Sequence, residues 1–146
     1  MNIESLHIIN LSSEKEILFC SHCLPESKNW NEYQNRVIKL IPQFDESCPP
    51  FMIHDDIVIG FGYIGKIAIV VTAAATSNCI VESVMSSAVN QVEEIIRFIC
   101  KEDLTPANLL ERNHYIQLQI ILQHEFTANG YMNFLTKEDF ENLALF

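Results

Sequence analysis

The sequence predicts an α+β domain in which helices cover both faces of a sheet. The first observation is the apolar stretch 51–75, which tight-turn residues divide into three strands. The second is the last of these strands, 66–73, which is apolar on both faces, as is typical of a central strand with helices above and below. The third is the segment after residue 76, where apolar residues recur at three-and-four spacing and predict a long helix.

Two tight turns delimit the three central strands. Asp55-Asp56 follows a strand at 51–54, and Ile64-Gly65 separates the strand 57–63 from the strand 66–73. One face of the middle strand is nearly bare, because side chains alternate along a strand and this face carries only Val58, Gly60 and Gly62. We therefore expect a helix to lie close against it. The other face carries Ile57, Ile59, Phe61 and Tyr63.

The glycines of this stretch spell G-x-G-x-x-G at Gly60, Gly62 and Gly65, but their position argues against nucleotide binding. A dinucleotide site needs them between a strand and a helix N-terminus, where free amide groups meet the pyrophosphate. Here they lie between two strands. A kinase glycine loop does lie in a hairpin, but no lysine occurs in 67–75 and no HRD or DFG motif follows. We interpret the glycines as relief from crowding in a twisted hairpin.

The N-terminal part of the chain adds a hairpin and a helix. Residues 4–11 and 16–23 are predicted strands, and Ser12-Ser13-Glu14 forms the turn between them. Residues 28–41 are a predicted helix that ends before Pro42. Its apolar residues recur at helical spacing: Trp30, Tyr33, Val37, Leu40 and Ile41.

The C-terminal part is predicted to be helical. A long helix follows the candidate caps Thr76, Ser77 and Asn78, with an apolar stripe of Val81, Val84, Met85, Ala88, Val92, Ile95, Ile96 and Ile99. A second helix begins at Thr105-Pro106 and stops at Asn129-Gly130. Its predicted buried side is Leu109, Leu110, Ile116, Ile120, Ile121 and Phe126. A short C-terminal helix starts at Thr136 and carries Phe140, Leu143 and Phe146.

Length and composition indicate one domain, residues 1–146, with a real hydrophobic core. Apolar residues make up 49% of the chain and the net charge is −10. This charge disfavours nucleic acid, whose phosphates need a basic surface, and direct contact with anionic lipids. Glu4 stands where a signal peptide would be basic, and Lys66 with three glycines interrupts the longest apolar run. We therefore expect a cytoplasmic protein without a membrane span.

The candidate residues for catalysis or metal binding form no convincing site. Cys20 and Cys23 make a C-x-x-C, but a zinc site needs a second ligand pair, and a redox site should open a helix rather than end a strand. The five histidines match no catalytic motif, and Asp55-Asp56 is a turn pair of the kind that faces water. We predict no enzymatic activity, no catalytic residue, no cofactor and no metal. A small enzyme is the alternative of a different class.

A resemblance to a known family rests on the order strand, strand, helix, three strands, helix, helix. It also rests on the segments FMIHDDIVIGFGYIGKIAIVV, CKEDL and LQHEFTANGYM. In these features the chain resembles the longin-domain small subunits of vesicle-coat adaptor complexes, the sigma subunits, and their relative coatomer zeta. Tyr63-Ile64-Gly65 stands where sigma subunits have a Y-A-G turn, and Gln123-His124-Glu125 where they have an Asp-Glu pair. Glu102-Asp103 matches their acidic connection, and Gly130 the glycine after their last long helix.

The resemblance implies a longin-like fold, a five-stranded antiparallel sheet with one helix on one face and two on the other. It implies a non-enzymatic, mainly architectural subunit of an adaptor or coat complex in vesicle-mediated protein transport. Its partners would be a large helical-solenoid subunit and other subunits, and membrane recruitment would be indirect, through the complex. The first helix and its loops depart from the sigma pattern, which a divergent assembly such as the TSET complex would explain. The related alternative is a longin module of another trafficking machine, such as a TRAPP-like tether or a GTPase regulator.

The resemblance also implies a cargo pocket, which this sequence fills differently. In sigma subunits the pocket receives the leucines of acidic dileucine signals, and the matching positions here are Ile64, Lys66, Val89, Ile99 and Leu104. Ile64 replaces a smaller residue and Lys66 an apolar one, and stripping water from an unpaired lysine is costly. The position that would receive the acidic residue falls at Lys15 or Glu16, and a glutamate there would repel it. We predict that the chain does not bind such signals.

Overall fold

A five-stranded antiparallel sheet lies between one helix on one face and a layer of helices on the other. The computed structural model describes residues 3–12, 14–24, 28–75 and 80–132. Its strands are β1 (Ser5–Asn10), β2 (Ile17–His22), β3 (Phe51–His54), β4 (Ile57–Ile64) and β5 (Ile67–Ala74). Its helices are α1 (Trp30–Leu40), α2 (Ile80–Cys100), α3 (Pro106–Leu109) and α4 (Arg112–Ala128).

The order across the sheet is β2-β1-β5-β4-β3, so β5 is central. It pairs with β1 on one side, from Ser5↔Thr72 to Asn10↔Ile67, and with β4 on the other. Residues 67–73 are all buried, because helices cover the strand from both sides. The prediction of a central third strand, drawn from its two apolar faces, is confirmed.

The hairpin between β4 and β5 closes one residue later than predicted. Ile64 and Ile67 pair directly, so the two turn residues are Gly65 and Lys66. Gly65 adopts φ +59°, the left-handed conformation that glycine accepts without steric cost. β4 therefore ends at residue 64 instead of the predicted 63, and β5 begins at residue 67 instead of 66. β3 has its predicted bounds, 51–54.

The bare face of β4 is covered by α2, as predicted. A Cβ atom at Gly60 would lie 3.1 Å from Met85 Cβ, and one at Gly62 would lie 2.4 Å from Val89 Cγ1. These distances leave no room for a side chain. The two glycines therefore set how closely α2 approaches the sheet.

The predicted apolar stripe of α2 is largely confirmed. Six of its members are buried: Met85, Ala88, Val92, Ile95, Ile96 and Ile99. Val84 is half-buried, and Val89 and Cys100 are buried in addition. The predicted caps 76–78, the side chain of Val81 and the final helix from Thr136 lie outside the described residues. Among the helices that the structure describes, none combines the length and apolar composition needed to cross a bilayer.

The opposite face of the sheet is covered by α1. This helix begins at Trp30 rather than at Lys28, because Asn29 is its N-cap and accepts a hydrogen bond from the Glu32 amide at 3.2 Å. Tyr33, Val37 and Leu40 are buried against the sheet. A 3-10 turn at Ile41–Gln43, which contains Pro42, ends the helix as predicted.

The helix predicted from Thr105-Pro106 to Asn129 is in fact two helices. Thr105 caps the single turn of α3, and the chain then breaks at 110–111. Glu111 restarts the helix by accepting hydrogen bonds from the amides of Asn113 and His114. The predicted buried side is therefore partly wrong. Leu109 and Phe126 are buried as predicted and Ile121 is half-buried, but Leu110, Ile116 and Ile120 are 42–43% exposed. The buried positions of α4 are Leu118, Leu122 and Phe126.

Candidate interaction site

The five predicted pocket positions lie around the β4–β5 turn and along α2. Ile64, Val89 and Ile99 are buried in the core beneath α2, and Leu104 packs against the same core. Lys66 lies in the turn with its side chain exposed. The structure thus brings the four apolar positions into one core and leaves the lysine in solvent.

The segment after α2 closes tightly over the β4–β5 turn. The Leu104 carbonyl oxygen lies 2.5 Å from where a Cβ at Gly65 would be. Leu104 therefore packs onto the turn backbone between Ile64 and Lys66. Because Gly65 is both left-handed and pressed against Leu104, this position requires glycine for two reasons.

The basic groups near this region are already engaged. The Lys66 ammonium lies 3.5 Å from a Glu46 carboxylate oxygen. The Lys15 ammonium donates a hydrogen bond to the Phe44 carbonyl oxygen, and Glu16 accepts one from the Asn10 amide at 3.1 Å. The end of the first hairpin thus presents a carboxylate and a lysine that is held by the main chain.

A cavity of about 280 Å³ lies between α2, the end of β4 and the loop before β3. Of the five predicted positions, only Val89 lines it. The other residues that matter for its chemistry are Pro50, Phe61, Tyr63, Asn90 and Glu93. Cys48 and Ser86 also line it, so the cavity combines apolar walls with a carboxylate, an amide, a hydroxyl and a thiol. It is distinct from the apolar core around Ile64 and Ile99.

Glu93 is the charged residue of this cavity. Its carboxylate lies over Gly62, with Oε1 2.6 Å from where a Cβ would be. Burial raises the pKa of the Glu93 carboxyl, and the charge of Arg97, one turn further along α2, partly opposes the increase. Within the described residues Glu93 has no ion pair or hydrogen bond. No sequence pattern marks this residue as part of a site, because its environment depends on Gly62 and on the loop before β3.

Large apolar side chains are exposed on the helical layer. Phe98 on α2 is 70% exposed, and Leu110, Ile116 and Ile120 are close to half-exposed. Phe98 already fell outside the apolar stripe predicted for α2. Ile116 and Ile120 are spaced i, i+4 beside the buried residues Leu118 and Leu122. A second apolar stripe on the same helix is a sequence feature that indicates an exposed apolar face.

A buried polar group under α1 was not anticipated. His7 on β1 is fully buried, and neither ring nitrogen has a hydrogen-bond partner among the described residues. Its ring stacks near that of Trp30, and the Trp30 ring also stacks on His22 at a centroid distance of 3.8 Å. Burial, with a smaller contribution from His22, lowers the pKa of His7 to about 4. Nearby, the Tyr33 hydroxyl hydrogen bonds to Thr72 at 2.6 Å.

The C-x-x-C cysteines lie at the end of β2, where the sequence placed them. Burial raises the pKa of the Cys20 thiol to about 11, so Cys20 is protonated at neutral pH. Across the described ranges, no group of three or more His, Cys, Asp or Glu side chains is arranged to hold a metal ion. Asp55 and Asp56 are exposed in their turn, and Asp56 pairs with Arg36 of α1.

Comparison with known proteins does not assign a family. No protein-family model matches the chain, and no curated protein sequence matches it significantly.

Proposed function

We propose that this chain is a longin-type small subunit of a heteromeric adaptor or coat complex, with a mainly architectural role. The observation that carries the proposal is the layered topology: β5 is central between β1 and β4, α1 covers one face, and α2 with α4 covers the other. This arrangement has the element order and the one-plus-two helix distribution that the resemblance to sigma subunits implies. The resemblance supplies the function, because a fold alone does not specify one.

The exposed apolar residues support a constitutive protein partner. Phe98, Leu110, Ile116 and Ile120 all belong to the layer of α2, α3 and α4. Large exposed apolar side chains in a soluble domain mark interaction surfaces when they are grouped, and obligate interfaces bury more than about 2,000 Å² in total. We propose that the partner is a large helical-repeat subunit and that it covers this layer.

Affinity purification of the full tagged chain from its own cells, followed by mass spectrometry, tests this proposal. The expected result is co-purification of a large helical-repeat protein in an amount comparable to that of the bait. Recovery of the chain as a monomer without any such protein would contradict it.

We also propose that the chain does not recognise acidic dileucine signals. Ile64 is buried, Lys66 holds a charge beside the turn, and the Lys15 ammonium is bound to the Phe44 carbonyl. Leucines entering here would meet a filled core, and the acidic residue of the signal would meet Glu16.

A titration of an acidic dileucine peptide against the chain with its partner bound is expected to give no saturable signal. The control is Val89→Asp, which would abolish a working pocket. Saturable micromolar binding that disappears in this variant would show that the pocket is active.

A further inference from the structure

The outer edge of β4 is only partly covered. β3 is four residues long and its pairing ends at Phe51↔Gly60, after which the Phe61 amide donates to the Pro50 carbonyl at 2.9 Å. In an antiparallel sheet the amide and carbonyl of one residue point to the same side, and this side alternates along the strand. The Phe61 amide points away from β5, so the amide and carbonyl of Tyr63, two residues further along β4, point the same way. Its amide and carbonyl therefore lie beyond the end of β3.

The cavity beside α2 lies at this open edge. Tyr63 and Phe61 contribute to its lining from β4, and Val89, Asn90 and Glu93 contribute from α2. Within the described residues, no main-chain hydrogen bond from outside the sheet reaches Tyr63. An extended segment laid in line with β3 could therefore pair with Tyr63 and direct one side chain into the cavity.

The lining specifies the charge of that side chain. Glu93 is a partly desolvated carboxylate, and although the charge of Arg97 acts on it, the two form no ion pair within the described residues. A lysine or arginine would supply the missing charge-assisted hydrogen bond. The net charge of −10 also favours the approach of a basic segment.

We propose that an extended segment of a partner protein pairs with the open edge of β4 at Tyr63 and places a lysine or arginine side chain against Glu93. The cavity volume of about 280 Å³ suits one long side chain. It lies at the lower end of the range of small-molecule sites, about 300–1,000 Å³. The preferred charge is opposite to that of an acidic sorting signal. This inference does not depend on the proposed function.

Fluorescence anisotropy with the full chain and a labelled Thr-Val-Arg-Val-Thr peptide tests the proposal. We expect saturable binding that Glu93→Gln weakens by about tenfold, because the charge-assisted contact is lost. Glu94→Gln is the matched control, because Glu94 is the exposed neighbour of Glu93 on α2, and it should change the affinity by less than about twofold. A peptide with an N-methyl group beside the arginine should also bind more weakly, because it lacks a donor for the strand edge.

Three results would overturn the proposal. The first is no binding of the arginine peptide at millimolar concentration. The second is equal binding of Thr-Val-Glu-Val-Thr, or equal affinity for wild type and Glu93→Gln. The third is binding of free argininamide as tightly as the peptide, which would identify a small-cation site without strand pairing.

Discussion

At Gly62 the lack of a side chain allows α2 to lie directly on β4. A Cβ at this position would be 2.4 Å from Val89 Cγ1 and 2.6 Å from Glu93 Oε1. The glutamate side chain can rotate away, but a valine in a helix has essentially one rotamer. A side chain at Gly62 would therefore have to push α2 away from the sheet.

We expect Gly62→Ala to lower the free energy of unfolding by about 2 kcal/mol, the typical cost of overpacking. Urea denaturation of Gly62→Ala, Val89→Ala and the double variant measures the coupling energy between positions 62 and 89. Because Val89→Ala removes the clashing methyl group, the double variant should be more stable than the sum of the two single effects predicts, by about 1 kcal/mol. If the two single effects simply add, the clash with Val89 is not the reason why a side chain at position 62 destabilises the fold.

His7 is the second position where one residue has a measurable consequence. Its pKa is about 4 in the folded chain, against the ordinary histidine value of 6.5. Between these values the unfolded state binds more protons than the folded state, so acidification favours unfolding. The stabilisation is complete above pH 6.5 and is lost as the pH falls towards 4.

We expect the free energy of unfolding to fall between pH 7 and pH 4 by about 3 kcal/mol more in the wild type than in His7→Leu. Denaturation curves of both proteins at several pH values give this difference, which is independent of the packing effect of leucine itself. His124→Gln, at an exposed position of α4, is the control. An equal pH dependence in wild type and His7→Leu would mean that His7 is not buried in its neutral form.

At the scale of elements, α4 shows how two apolar stripes compete. Ile116 and Ile120 are spaced by four residues, and so are Leu118, Leu122 and Phe126. Both sets satisfy helical periodicity, but only the second is buried. The helix begins at Arg112 after the break at 110–111, so its rotation is set by packing against α2, including the hydrogen bond of Gln91 to Glu125 at 3.0 Å.

Matched alanine substitutions in the isolated chain test this assignment. Leu122→Ala should cost about 2–5 kcal/mol, because it leaves a cavity in the core. Ile120→Ala removes a similar side chain from an exposed position and should cost less than about 1 kcal/mol. Thermal or urea unfolding of the two variants measures both costs. Equal destabilisation would contradict the observed rotation of α4.

The elements that the sequence predicts well are those with strong local signals. β5 is apolar on both faces, glycines mark the helix contact on β4, and Pro42, Thr105 and Gly65 fix boundaries to within a residue or two. The candidate site is less predictable. Val89 was predicted as a pocket residue from the resemblance to sigma subunits. Glu93 becomes part of a cavity only because the loop before β3 packs beside α2. His7 looks like an ordinary polar strand residue until Trp30 of α1 covers it.

At the scale of the whole molecule, most of the large apolar side chains that the helices expose lie on one face of the sheet, and α1 on the other face exposes Ile38. The layer of α2, α3 and α4 carries Phe98, Leu110, Ile116 and Ile120 at its surface. A domain with a net charge of −10 has little need of such residues for its own folding. We propose that they form the surface that a large helical-repeat subunit covers.

The most direct test compares the wild type with an Ile116→Asp/Ile120→Asp variant in the affinity purification described above. Both residues are exposed, so the variant should fold and remain soluble. The matched control replaces exposed residues away from this surface, Asn35→Asp and Gln43→Asp. We predict that the wild type and the control recover a large helical-repeat subunit and that the Ile116→Asp/Ile120→Asp variant loses it. Equal recovery with all three proteins, or no such subunit with the wild type, would contradict it.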